Sequence, residues 1–217
     1  MITKLPFFLL LLMLSAFSVE KLKPITIACI GDSITYGYLV ENREQNSYPA
    51  QLQKLLGNNF KVYNFGVPSK TVLTKGGKSV QSYVDTKEYK KALQTNADII
   101  LIMLGANDSK PNNWTSGKKW FSQDFKILVE SLKTKTSKIY CCIPTSIQNN
   151  LKPMADNLKE IIRHEKAVAD KLNLSIIDLN TPTMNKPKLF IDGLHPNKKG
   201  CEVIAKIIAK NITEAKK

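Results

Sequence analysis

Ala97-Asp98-Ile99-Ile100-Leu101-Ile102-Met103-Leu104 carries the strongest strand signal in the chain. After Asp98 the run is apolar without alternation, which predicts a strand covered on both faces. Four further runs share the pattern: Ile25 to Ile30, Lys61 to Phe65, Lys138 to Ile143 and Leu174 to Leu179. Amphipathic stretches separate them. Ser47 can cap a helix entered through Pro49, with Leu52, Leu55 and Leu56 on one face and Gly57 ending it. Residues near 86–95 are weakly helical. Trp120 to Lys133 places Phe121, Phe125, Leu128, Val129 and Leu132 at helical spacing. Leu158, Ile161, Ile162, Val168, Ala169 and Leu172 mark a long helix, and a closing helix runs from Asn197 to about Ile212. Apolar strands alternating with helices predict a three-layer α/β/α domain with a five-stranded parallel sheet of flavodoxin-like order. In such folds sites gather at the carboxyl ends of the strands.

The length, 217 residues, suits one domain, and 43% hydrophobic with 23% charged residues excludes a disordered or fibrous chain. The formal net charge is +14, but Arg43 and Arg163 are the only arginines. Scattered lysine with so little arginine argues against a nucleic-acid partner. It leaves open attraction to an anionic polysaccharide or a membrane surface. At the N-terminus, Lys4 precedes an almost wholly apolar run from Phe7 to Phe17, and Ala16-Phe17-Ser18 offers small residues at a cleavage site. This predicts a signal peptide over residues 1–18, a single mature domain over 19–217, and a secreted or periplasmic protein. An uncleaved anchor is the alternative, though the run is short for a membrane span. Cys29, Cys141 and Cys142 lie in apolar, strand-like stretches, and neither they nor Cys201 demand a disulfide. With no C-x-x-C pair and only two histidines, no metal or other cofactor is expected.

Two strand ends carry polar residues of chemical interest, Gly31-Asp32-Ser33-Ile34-Thr35-Tyr36-Gly37 and Gly105-Ala106-Asn107-Asp108, and Asp192-Gly193-Leu194-His195-Pro196 follows near the C-terminus. Each alone reads as an ordinary turn or cap. Together they supply an ester hydrolase. Ser33 offers the hydroxyl, His195 the imidazole, and Asp192, three residues earlier, a carboxylate to orient the ring. The Asn107 amide and the Ser33 N–H can receive a developing oxyanion. Asp32, polar at a buried strand end, is expected to organise the nucleophile turn. Other constellations are absent: position 35 is Thr, so there is no G-x-S-x-G elbow, and there is neither a P-loop nor an H-E-x-x-H. His164 reads as a surface residue.

GDSIT at 31–35, NFGVPSKT at 64–71, GAND at 105–108 and DGLHP at 192–196 resemble, in order, the four blocks of the SGNH, or GDSL, hydrolases. The resemblance implies Ser33 as nucleophile, Asp192 and His195 as its partners, and Asn107 in the oxyanion hole. In the second block the family usually has Gly five residues after the Asn; here that position is Ser69. Its backbone N–H can still donate, although Ser takes positive φ reluctantly. Gly66 is the second choice for this role. The run GANDSKPNNW (105–114), with Thr71-Val72-Leu73 before it, is similar to sialate O-acetylesterases and carbohydrate acetylesterases. That implies a secreted esterase acting on acetylated sugars. Trp114, placed in the loop after the Asn107 strand, would be a sugar platform, and Trp120 part of a helix core. The competing readings are a lysophospholipase or thioesterase with a longer acyl groove, and an inactive carbohydrate-binding protein of the same fold.

Overall fold

The computed structural model describes residues 23–214, so the expected signal peptide lies outside the described residues. Five strands, β1 (Ile25–Gly31), β2 (Phe60–Gly66), β3 (Ile99–Met103), β4 (Lys138–Ile143) and β5 (Ser175–Asp178), form one parallel sheet in the order β2-β1-β3-β4-β5. Among the described residues seven α-helices accompany it: α1 (Ser33–Tyr36), α2 (Arg43–Asn46), α3 (Tyr48–Leu56), α4 (Lys87–Thr95), α5 (Pro111–Leu132), α6 (Lys152–Lys171) and α7 (Lys198–Glu214). The three-layer architecture and the strand order are those the sequence predicts.

The apolar run around β3 serves two cores at once, because side chains alternate across a strand. Ile100, Ile102 and Leu104 pack with Ala92 of α4, Phe121, Phe125 and Leu128 of α5, and Ile161 of α6. Ile99, Leu101 and Met103 face the other way, onto Tyr48 and Leu52 of α3 and Ile204 and Ile208 of α7. The start of the sheet is pinned where Asp98 Oδ2 accepts from the Thr26 N–H at 2.8 Å and its hydroxyl at 2.7 Å. These bonds hold the Asp98 carboxyl below its ordinary pKa.

Two sequence expectations need correction. Helix α5 begins at Pro111, not at Trp120. Proline is well placed in a first helical turn, since its missing N–H would be unpaired there. The segment that follows, Asn112-Asn113-Trp114-Thr115-Ser116-Gly117, is made of weak helix formers that hide the periodicity. His164, expected at the surface, is half-buried. Its Nδ1 lies 2.7 Å from Ser122 Oγ between α5 and α6, and its ring meets Trp114 and Phe121 edge to face. Burial holds its pKa below the ordinary imidazole value.

On α6, Glu165 is buried, facing Gly105, and its Oε2 has no hydrogen-bond partner among the described residues. Burial pushes its pKa well above the ordinary carboxylate value, and the nearby Asp108 charge adds to the rise. The folded state thus holds a proton that the unfolded chain releases near pH 4. Glu165 therefore contributes fully below that pH, and its contribution is lost as pH rises through the raised folded pKa. Glu165→Gln keeps the shape and removes the titration. Thermal melts from pH 5 to 8 should show the variant gaining on wild type as pH rises, by about 3 °C or more at pH 8. A variant less stable than wild type at pH 8 would refute this account.

Candidate active site

Strand β1 ends at Gly31, paired with Gly66 at the end of β2. A Cβ on Gly31 would lie 2.0 Å from Thr35 Oγ1, and one on Gly66 would lie 2.1 Å from the Tyr36 nitrogen. Only side-chain-free residues let α1 fold back over the sheet at this point. Asp32 caps α1, its Oδ1 accepting from the Ile34 N–H at 2.9 Å, as expected of the residue that organises this turn. Ser33 stands in the first turn, buried but for 6% of its surface.

The other partners come from the loop before α7. Ser33 Oγ lies 3.0 Å from His195 Nε2, and His195 Nδ1 lies 2.6 Å from Asp192 Oδ2. Asp192 Oδ1 accepts from the N–H groups of His195 and Leu194 at 2.8 and 3.0 Å. Partial burial raises the Asp192 pKa, but these bonds outweigh it and hold the carboxyl below its ordinary value. The carboxylate form, the one that can hold the imidazole N–H, is therefore favoured. The loop after β4 steadies this turn in a way that sequence motifs do not signal. Gln148 N–H donates to the Gly193 carbonyl at 2.8 Å, and Asn150 Nδ2 to the Asp192 carbonyl at 3.1 Å. Beyond Asp192 opens a cleft of about 610 Å³, lined in part by Gln148, Asn150, Asn185 and Ile191.

On the opposite side, Asn107 follows β3. Its Nδ2 donates to the Lys70 carbonyl at 3.2 Å and makes a longer contact, 3.4 Å, with Asp32 Oδ2. Ser69 sits one residue before Lys70 with φ +66°, the left-handed conformation in which a family glycine would be at ease. The two candidates in this block differ here. The Gly66 N–H is given to Asn64 Oδ1 at 2.9 Å, and Gly66 lacks the Cβ that would meet α1. The segment carrying Ser69 is held by Asp108, which accepts from the N–H groups of Leu73 and Val72 at 2.8 and 3.1 Å. Asp124 accepts from the Thr74 N–H at 2.8 Å. Burial pushes Asp32 up to about 7 and Asp108 up to about 6, against the backbone donors that each accepts from.

Trp114 is not at this site, which overturns its reading as a sugar platform. It lies inside α5, 3% exposed, with Nε1 donating to Glu160 Oε2 at 2.9 Å and its ring against Phe121 and His164. The aromatic ring that does reach His195 is Tyr38, 5.0 Å away between centroids. The four cysteines are buried free thiols. Among the described residues no group of His, Cys, Asp and Glu is arranged to hold a metal ion.

A hydroxyl, an imidazole and a carboxylate in one hydrogen-bonded line at the strand ends of a parallel sheet are the equipment of a serine ester hydrolase. The chain belongs to the GDSL-like lipase/acylhydrolase family, whose model matches residues 29–203. It is 37% identical over 224 aligned positions to an acetylxylan esterase of Xylanibacter ruminicola, covering 92% of this chain. The chain spans 45% of that relative's length. Among solved structures, a lipase/acylhydrolase from Enterococcus faecalis superposes with TM-score 0.71 at 22% identity, over 88% of this chain and 96% of that one. A carbohydrate acetylesterase from Sinorhizobium meliloti superposes with TM-score 0.68 at 16% identity, over 88% and 99%. At these identities the two structures establish the shared fold.

The paired glycines make the site's dependence on close packing testable. In Gly66→Ala the new methyl would meet backbone, not a side chain that can swing away. Overpacking of this kind should cost about 1–3 kcal/mol. Because α1 carries Ser33, esterase activity should fall in the fraction that remains folded. Unchanged denaturant midpoint and unchanged turnover would show that α1 does not need this contact.

Proposed function

We propose that this chain is an exported esterase that removes acetyl groups from carbohydrate through a covalent acyl-enzyme. The observation that carries the reading is the line from Ser33 Oγ through His195 to Asp192, at 3.0 and 2.6 Å. The similarity to an acetylxylan esterase supports a sugar-borne acetyl ester as substrate. Export is supported by the charge, apolar run and small residues of positions 1–18. No helix among the described residues is long and apolar enough to cross a membrane.

In this reading Ser33 Oγ attacks the acetyl carbonyl carbon while its proton passes to His195 Nε2. Asp192 keeps the Nδ1 proton in place and offsets the charge on the imidazolium. The carbonyl oxygen becomes an oxyanion facing the N–H groups of Ser33 and Ser69 and the Asn107 amide. The Lys70 carbonyl holds that amide by one hydrogen, and the long contact to Asp32 leaves the other easily redirected. The intermediate collapses, the C–O bond to the sugar breaks, and His195 returns the proton to the sugar oxygen. Water, activated by His195, then attacks the acetyl-serine. Acetate leaves and Ser33 recovers its proton. The cleft beyond Asp192, with amide side chains along its wall, offers hydrogen-bonding partners for sugar hydroxyls.

Ser33→Ala should lower kcat on acetylated xylo-oligosaccharides by about four orders of magnitude with the fold intact. A folded Ser33→Ala protein with near-normal turnover would end the serine-esterase reading. Asn107→Ala should cost about 100- to 1,000-fold in kcat, the usual effect of losing one oxyanion donor. In wild type, acetyl esters should be cleaved faster than octanoyl esters of the same alcohol. The reverse preference would move the assignment to a long-chain acyl substrate.

A further inference from the structure

The proposed reaction dictates where the alcohol half of the substrate lies. His195 Nε2 returns its proton to the departing oxygen, so the sugar ring bearing that oxygen stands beside the imidazole. The Tyr38 ring packs against that imidazole at 63° between planes. It is nonetheless 45% exposed. Two other aromatic rings in this region are otherwise engaged: Tyr36 lies under the Arg43 guanidinium at 3.9 Å, and Phe190, at the cleft beyond Asp192, is buried.

Tyr38 is held in its place by the backbone. Its N–H donates to the Ser33 carbonyl at 2.9 Å, so the turn that presents the ring is tied to the nucleophile residue itself. The next residue, Leu39, has φ +64° and is 50% exposed. A leucine in the left-handed region carries a strain that persists only where the surrounding structure imposes it. Here the Val40 N–H donates to the Gly37 carbonyl at 3.2 Å and Val40 is buried, which closes the turn. The fold thus keeps a rigid, half-open aromatic ring against the imidazole that handles the leaving group.

We infer that Tyr38 is a specificity-determining residue, the platform on which the pyranose ring carrying the ester rests. The inference builds on the carbohydrate-ester reading above. The C–H faces of a pyranose are apolar, and an aromatic face buries them without demanding hydrogen bonds. An acetyl ester of a small alkyl alcohol presents no such face and gains little from Tyr38.

The test compares acetylated xylo-oligosaccharides with ethyl acetate, which shares the acyl group and lacks the ring. Kinetic constants would be measured for wild type, Tyr38→Phe, Tyr38→Leu and Tyr38→Ala, each checked for folding by its melting temperature. Tyr38→Ala should raise KM for the oligosaccharides about tenfold or more, as for loss of an aromatic anchor. Its kcat/KM on ethyl acetate should fall by no more than about threefold, so selectivity for the sugar ester collapses. Tyr38→Phe should keep that selectivity, because the ring and not the hydroxyl carries the contact. Tyr38→Leu keeps an apolar side chain without an aromatic face and should lose selectivity as alanine does, which keeps the test open if the alanine variant does not fold. Equal losses on both esters would make Tyr38 a packing support for His195 and overturn the platform. Unaltered selectivity in the folded leucine or alanine variant would overturn it as well. Wild type that cleaves ethyl acetate but no sugar acetate would instead overturn the carbohydrate reading beneath it.

Discussion

Two glycines facing each other across adjacent strands set the terms for everything above them. Gly31 and Gly66 are register partners at the carboxyl ends of β1 and β2. The turn that carries Ser33 lies so close over them that any Cβ would collide with it. Because α1 is seated directly on the sheet, Ser33 inherits the rigidity of two paired strands. The same contact brings Asp32 within 3.4 Å of Asn107, in the loop that follows the neighbouring β3. Parallel pairing in the order β2-β1-β3 then brings three independent loops to one edge without any of them reaching far.

Beneath that edge lie acids shut away from water. Asp32 and Asp108 take backbone N–H groups as their partners, and Asp124 is held in the same manner. A buried carboxylate is tolerated when donors surround it, and in exchange it fixes the loops that supply the donors. This arrangement orders the loop carrying Ser69, together with Val72 and Leu73, which the same loop buries in the core. Glu165 departs from the pattern: it is equally enclosed, yet its Oε2 meets no donor among the described residues, and its protonated form is favoured.

The sheet is legible in the sequence because its strands are short, apolar on both sides and separated by amphipathic helices. The residues that meet in the site are legible because Ser33, Asn107, Asp192 and His195 each stand in a compact polar motif next to an apolar run. What is not legible depends on contacts between distant segments. The N-terminal third of α5 is masked by Asn112, Asn113 and Gly117, so Trp114 looks like a loop residue when it is a core one. The engagement of the Gly66 N–H by Asn64 is likewise something that no spacing rule reveals. Asn150 reaches Asp192 from 42 residues away. Tyr38 lies within a few residues of Ser33, but its contact with the imidazole emerges only when the chain returns with His195.

The cysteines lead in another direction. Cys141 belongs to the core beneath α4, α5 and α6, while Cys29, Cys142 and Cys201 belong to the core beneath α3 and α7. Burial pushes the Cys29 and Cys201 thiols up to about 12, and those of Cys141 and Cys142 rise as well. A thiol without thiolate character and without access does not react. Alkylation of any of the four must therefore await an opening of the layer that encloses it. The order in which they become modified is a native clock, reading out which of the two sides of the sheet comes apart first.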